Sequence, residues 1–303
     1  MRTAFIETLI DLAKKDNRIC LLTGDLGFTV LEKFAEAFPD RFFNVGVAEA
    51  NMIGLATGLA LEGWIPYAYS IATFASMRGY EQIRNGPVLH QLPVRIIGIG
   101  GGFAYGHSGI THYALEDIAI MRTQPGITVI APADPPQTRS AILSTFDQKG
   151  PVYYRIGKGG NAVVVGLDGR FSLDSIPTIG RGRNLLVLTT GSISADVAQI
   201  TSALENTTLG IVAALNPPPY KSLQDLIKTF PRVLTIEEHY SVGGLGSLVA
   251  ETIASTSHPV IFKALGVSNL PLGVTGKQGF MCDLAGIGPA DLKNQFQSIL
   301  HQG

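Results

Sequence analysis

Apolar residues recur at helical spacing over residues 3–16, where Phe5, Ile6, Leu9, Ile10, Leu12 and Ala13 share one broad face. Residues 18–23 then form a continuous apolar run, which predicts a short buried strand, and end in Gly24-Asp25-Leu26-Gly27. The pattern repeats along the first half. Helix is expected at 29–38, stopped by Pro39, and again near 74–90, 115–122 and 135–147. Strands are expected at 65–69, 94–99, 127–131 and 152–156. Residues 44–63, NVGVAEANMIGLATGLALEG, open as a strand and turn at Gly46. They continue as a helix lined with Ala48, Ala50, Gly54, Ala56, Gly58 and Ala60. From Lys158 to Gly182 the order loosens and glycine is frequent. A second alternation follows, with strands at 185–190, 209–213, 233–237 and 259–263 and helices near 195–205, 222–230, 245–254 and 289–300.

Short buried strands alternating with helices predict an α/β protein: two three-layer domains with mostly parallel sheets and helices on both faces. The boundaries read as a first domain over 1–160, a linker over 161–182 and a second domain over 183–303. The 303 residues suffice for both. Hydrophobic residues make up 46% and charged residues 16%, a well-buried composition that excludes disorder. A net charge of −1 offers nothing to nucleic acid or an acidic membrane surface. No apolar run reaches the roughly 18 residues of a spanning helix. Cys20 and Cys282 are far apart, and Cys20 falls in a predicted buried strand. This usage suits a reducing compartment, and a cytoplasmic location is expected.

Candidate chemistry centres on Glu49, at the start of the small-residue helix. Small side chains let a second protein surface approach closely. A carboxylate inside such a contact loses water and needs a partner; the plainer alternative is a helix N-terminal charge favoured by the dipole. The glycine run Gly98–Gly102 does not fit a dinucleotide fingerprint, because Phe103 stands where the third glycine belongs. His107 and His112 lack the spacing of a zinc site, and no metal is assigned to this chain.

The phrase around Glu49 resembles the thiamin-diphosphate-contacting segment of the transketolase family's pyrimidine-binding half. Four further segments follow in the family's order: Thr23–Thr29, Phe74–Gly86, Thr111–Ala119 and the Arg155 strand end. The resemblance implies that Glu49 bonds a ring nitrogen of the cofactor's aminopyrimidine. Phe74 stacks on that ring, Met77 packs against it, and Asp25 lies near the cofactor. His112 moves protons at the substrate, a role suited to imidazole. Thr29 and Arg155 contact a sugar phosphate. Read without the resemblance, Asp25 could cap the next helix, His112 could shape its loop, and Arg155 could form a structural ion pair. Glu237-Glu238-His239 and Gly243–Gly246 resemble the family's C-terminal domain.

Two positions depart from the family. Ser108 stands where an Asp reads a sugar hydroxyl, and Gly100 and Gly101 stand where relatives carry a cation. His107 is nearby to restore part of a phosphate clamp. The Gly-Asp-Gly … Asn motif that holds the diphosphate through a metal is missing. The chain therefore resembles the C-terminal-half subunit of a split transketolase. That implies a shared thiamin diphosphate, Mg2+ or Ca2+ on an N-terminal-half partner, an α2β2 assembly and self-association through the pyrimidine domain. The implied reaction moves a two-carbon ketol or acyl unit between sugar-type substrates. The alternatives are a β subunit of a 2-oxo-acid dehydrogenase, or a non-catalytic scaffold.

Overall fold

The computed structural model describes residues 1–159 and 162–300. The expected boundary at 160/161 and the last three residues lie outside the described residues. The chain opens with α1 (Arg2–Ala13), whose Phe5, Ile6, Leu9 and Leu12 are buried as the periodicity predicts. Six strands follow: β1 (Ile19–Thr23), β2 (Phe42–Asn44), β3 (Ile65–Ile71), β4 (Arg95–Ile99), β5 (Thr128–Ile130) and β6 (Val152–Ile156). The second half contributes β7 (Thr178–Ile179), β8 (Leu185–Thr189), β9 (Thr207–Ile211), β10 (Ala214–Asn216), β11 (Arg232–Tyr240) and β12 (Ile261–Val267).

Two sheets result, ordered β10-β5-β6-β4-β3-β1-β2 and β12-β11-β8-β9-β7. Each is parallel apart from one antiparallel edge strand, β10 on β5 and β7 on β9. The apolar runs of β1, β4, β5, β6, β8 and β9 are buried at every position, because helices cover both faces. The expected α/β architecture with two mostly parallel sheets is present. The two halves interlock more than the pattern showed, since β10 leaves the second half of the chain and pairs with the first sheet. β7 falls inside the expected linker and belongs to the second sheet.

Several element limits differ from the expectation. The helix expected at 29–38 is shortened to α2 (Glu32–Ala37), because Thr29 adopts φ 68° and its N–H bonds Glu32 Oε1 instead of starting a turn. The residues expected as one helix at 74–90 divide into π turns at Phe74–Arg78 and Arg84–Val88 around a short α segment, Tyr80–Ile83. Pro87 lies inside the second and has no N–H to donate. The last strand runs to Val267 and not 263, carried past a Lys-Ala-Leu-Gly stretch by parallel pairing with β11.

Candidate active site

The first sheet reverses its winding between β1 and β3: β2 lies on one side of β1, while β3 and β4 lie on the other. In open α/β sheets the crevice at the carboxyl ends of such strands is where ligands bind. The segments after β1, β2, β3 and β4 carry every first-half candidate site residue named above apart from Arg155, which β6 itself carries.

Glu49 begins α3 (Glu49–Leu61) beside this reversal. It is 3% exposed. Ser70 of β3 donates to its Oε1 at 3.0 Å, and Arg78 Nη1 donates to Oε2 at 3.0 Å. Gly24, just past β1, stands close by: a Cβ there would lie 3.7 Å from Oε1. The π turn after β3 brings Phe74 and Arg78 together, with the guanidinium carbon 3.8 Å from the ring centroid. π turns recur at functional sites because the extra residue redirects side chains. Arg78 therefore covers both the carboxylate and the aromatic face, while its own side chain remains 47% exposed.

His112 meets the other edge of Phe74, with ring centroids 5.0 Å apart. Burial, then the nearby charges of Arg78 and Lys158, lower its pKa below the ordinary 6.5. Its Nδ1 shares a hydrogen bond with Thr111 Oγ1 at 2.9 Å. A bridge between Gly102 and Ala114 pins the ends of the loop that bears His112. The second half holds the loop from behind: Phe103 N–H donates to Glu238, and Tyr113 O–H donates to the Val274 carbonyl. His107 and Ser108 share this loop and are exposed.

Asp25 and Thr29 lie on the loop after β1, both at positive φ (57° and 68°). Such backbone in non-glycine residues costs about 1–3 kcal/mol and collects at functional sites. Asp25 does not cap α2; its carboxylate accepts from Asn44 Nδ2 at 3.0 Å, just ahead of Gly46. Met77 is partly exposed next to Arg78, and its sulfur faces Thr73.

Of the two roles the sequence left open for Arg155, a phosphate contact and a structural ion pair, the structure shows the ion pair. Arg155 is 5% exposed. Its Nε donates to Asp117 at 2.9 Å, and Nη2 donates to the Ala114 and Glu238 carbonyls at 2.9 Å each. The glycines at 100 and 101 have a packing reason. A Cβ at Gly101 would collide with the Arg155 guanidinium, and one at Gly100, held at φ +76°, with the Tyr105 ring.

Sequence reasoning passed over Arg78, Lys158, Tyr105 and Arg2. Lys158 Nζ lies 3.9 Å from the Tyr105 ring centroid, and Tyr105 faces His112. Arg78 lies within the Phe74 segment and could have been flagged as the cation four residues from an aromatic. Nothing local marks the others. Cys20 is buried with its thiol pushed up to about 12, an inert group. Among the described residues no group of three metal-binding side chains occurs, and no helix is long and apolar enough to cross a membrane. A cavity of about 790 Å³ lies around Val163, Ile179 and Leu204 and is lined by none of these residues.

A buried carboxylate, an aromatic face and an imidazole are thus gathered at a parallel sheet's reversal. Residues 1–161 match the family described as transketolase, pyrimidine binding domain. The chain is 36% identical to a putative transketolase C-terminal section of Methanocaldococcus jannaschii, over 91% of this chain and 89% of that one. It is 32% identical to one of the subunits of the apulose-4-phosphate transketolase of Phocaeicola vulgatus, over 86% of this chain and 85% of that one. Its fold superposes on a split-gene transketolase solved as an inactive β4 tetramer, with TM-score 0.89, 32% identity and coverage of 99% of this chain and 97% of that one. The chain belongs to the transketolase family. It is a transketolase-like transferase chain, and the 2-oxo-acid dehydrogenase reading is not favoured.

Proposed function

We propose that this chain is the C-terminal-half subunit of a split, thiamin-diphosphate-dependent transketolase, moving a two-carbon ketol unit between sugar-type substrates. The observation that carries the reading is Glu49: a carboxylate buried at the sheet reversal, beside an aromatic face, at the head of a helix whose other face is bare. On α3, Asn51, Gly54, Leu55, Gly58 and Leu61 are exposed, and a Cβ at Gly54 or Gly58 would meet nothing. Val47, Met77 and Leu89, on segments flanking that helix, are exposed too. Such a face suits close approach of a second protein chain. We assign that role to an N-terminal-half partner carrying the diphosphate and a divalent metal, and to a second copy of this chain, in an α2β2 assembly.

The residues fit the cofactor's pyrimidine ring by the chemistry of their donor set. Glu49 offers a carboxylate to a protonated ring nitrogen, Phe74 a stacking face, and Met77 and Asp25 flank them. Thiamin diphosphate, when bound, supplies a stabilised carbanion for cleaving a carbon–carbon bond next to a carbonyl. Arg78, whose side chain is half-exposed, would yield the Phe74 face to the ring, and Glu49 would hold a proton at the ring nitrogen. His112, with Nδ1 engaged by Thr111, uses Nε2 to move a proton at a substrate oxygen; its lowered pKa keeps the ring a base at neutral pH. Thr29, His107 and Ser108 read the substrate's hydroxyl and anionic groups. The first domain binds the pyrimidine and the second, from 183 onward, supports the His112 loop and the assembly.

The test is calorimetry and turnover with thiamin diphosphate and magnesium, for this chain alone and mixed with the partner. Tight cofactor binding and ketol transfer by the mixture only are expected. Full activity of the isolated chain would end the split-enzyme reading, and activity with 2-oxo acids alone would end the transketolase one.

A further inference from the structure

We infer that Glu238 is the positioning residue of the His112 loop: a carboxylate of the second half that sets where the imidazole stands in the cleft of the first. In the transketolase reading above, on which this assignment rests, His112 moves a proton at the substrate.

Glu237, Glu238 and His239 follow one another on β11, and all three are buried. Successive side chains on a strand point to opposite faces. Glu237 and His239 accordingly share one face, with His239 Nδ1 3.9 Å from the Glu237 carboxylate. Glu237 is occupied there, accepting from the Leu245 and Gly246 N–H groups at 2.7 Å each. Glu238 points the other way, toward the loop that follows β4. Its Oε1 accepts from the Phe103 N–H at 2.6 Å. Gln278, which opens the helix Gln278–Leu284, donates from Nε2 to Oε1 at 3.1 Å and to Oε2 at 2.8 Å. A carboxylate taken out of water is costly unless donors occupy it. Here one donor comes from the first half and one from the second. Gly102, at φ +64°, leaves room for this approach, since a Cβ there would collide with the Glu238 carboxyl group.

The same residue reaches both ends of the loop. Gly102 and Ala114 exchange backbone hydrogen bonds of 2.8 and 3.0 Å, closing the segment that bears His107, Ser108 and His112. The Glu238 carboxylate holds Phe103 at the start of that segment. The Glu238 carbonyl accepts from Arg155 Nη2, which also donates to the carbonyl of Ala114 at its end. Inside the loop, the Phe103 ring meets the edge of Tyr113, centroids 5.2 Å apart, and Tyr113 adjoins His112. Removing the carboxylate leaves the buried Phe103 N–H without its acceptor and frees the inner wall on which Tyr113 rests. The imidazole then loses its fixed place beside Phe74, 5.0 Å away. Proton transfer is sensitive to such displacement: about 1 Å can cost on the order of 10²-fold in rate.

The experiment has two arms. In the first, the isolated full chain is melted and its histidines are titrated by NMR, the His112 signal being assigned by His112→Asn. Glu238→Ala should move the His112 pKa back toward 6.5, because the ring loses burial and the nearby charges of Arg78 and Lys158. Glu238→Gln keeps an acceptor oxygen for Phe103 and should restore most of the native value. Gln278→Ala, at a partly exposed helix start, should move the pKa in the same direction by less. A lowered melting temperature with an unmoved His112 pKa in Glu238→Ala overturns the inference. Should Glu238→Ala fail to fold, an unmoved pKa in Gln278→Ala overturns it. In the second arm, the assembled enzyme is assayed with a ketose donor. Glu238→Ala should lower kcat by about 10²-fold with KM little changed, and Glu238→Gln should recover most of it. A native kcat in Glu238→Ala overturns the inference while ketol transfer stands. Absence of turnover by the unmodified assembly with every donor fails the transketolase reading, and the first arm still decides whether Glu238 positions the loop.

Discussion

The molecule contains the same chemical pair, a buried carboxylate against an arginine, in two settings. In the first half, Asp117 and Arg155 are 0% and 4% exposed at their side chains, and further hydrogen bonds from Tyr153 and to the Ala114 and Glu238 carbonyls close the network. At the sheet reversal, Glu49 is equally buried, yet Arg78 is 47% exposed and rests on Phe74. A pair sealed on all sides is costly to break, because the survivor is left charged in a dry interior. A pair with one solvated member exchanges that member cheaply. The first arrangement fixes Arg155, whose Nη2 also reaches the Glu238 carbonyl of the second half; the second leaves a carboxylate that can change partners, as the proposed cofactor site would require.

Breaking the sealed pair should have the largest effect. Arg155→Met leaves Asp117 buried and unpaired and should cost about 3–5 kcal/mol of stability, read as a lower melting temperature and denaturant midpoint. A change of a few tenths would place Arg155 outside this network. Glu49→Gln should act on function instead. Turnover of the assembled enzyme falls by about 10²–10⁴-fold, with the melting curve unchanged; near-normal turnover would remove Glu49 from the chemistry.

Gly58→Ala on the bare face of α3 separates folding from assembly. Replacing a mid-helix glycine should stabilise the isolated chain by about 0.5–1 kcal/mol, since a Cβ there meets open space. The same methyl group should weaken association measured by sedimentation. Unchanged association would show that this face stays bare. Arg78→Met should alter stability by no more than about 1 kcal/mol, in contrast to Arg155.

The smallest effect concerns pH. His112 titrates below 6.5 in the folded protein, through burial first and then Arg78 and Lys158. The unfolded chain therefore binds more protons just below pH 6.5, and stability attributable to this group declines as pH falls through that window. Arg78→Met or Lys158→Met should move the His112 pKa upward, part of the way to 6.5, in an NMR titration. No movement would detach the imidazole from both cations.

Much of this was legible in the residue order. Continuous apolar runs announced the buried parallel strands, and the small residues behind Glu49 announced the helix α3. Residue order left Arg155 between a phosphate contact and an ion pair, because a strand-end arginine looks the same whether it faces a cleft or a carboxylate. Asp117, 38 positions earlier, decides which. It also passed over Lys158 and Arg2, 156 positions apart and joined by a hydrogen bond from the Arg2 side chain to the Lys158 carbonyl.

The sequence by itself determined the two α/β halves and the family of the chain, because both follow from local periodicity and from short motifs in a set order along the chain. The tertiary structure decided which charges are free. Burial and pairing depend on neighbours brought in from distant positions, and they fix one arginine against a carboxylate while leaving another half-exposed over an aromatic ring.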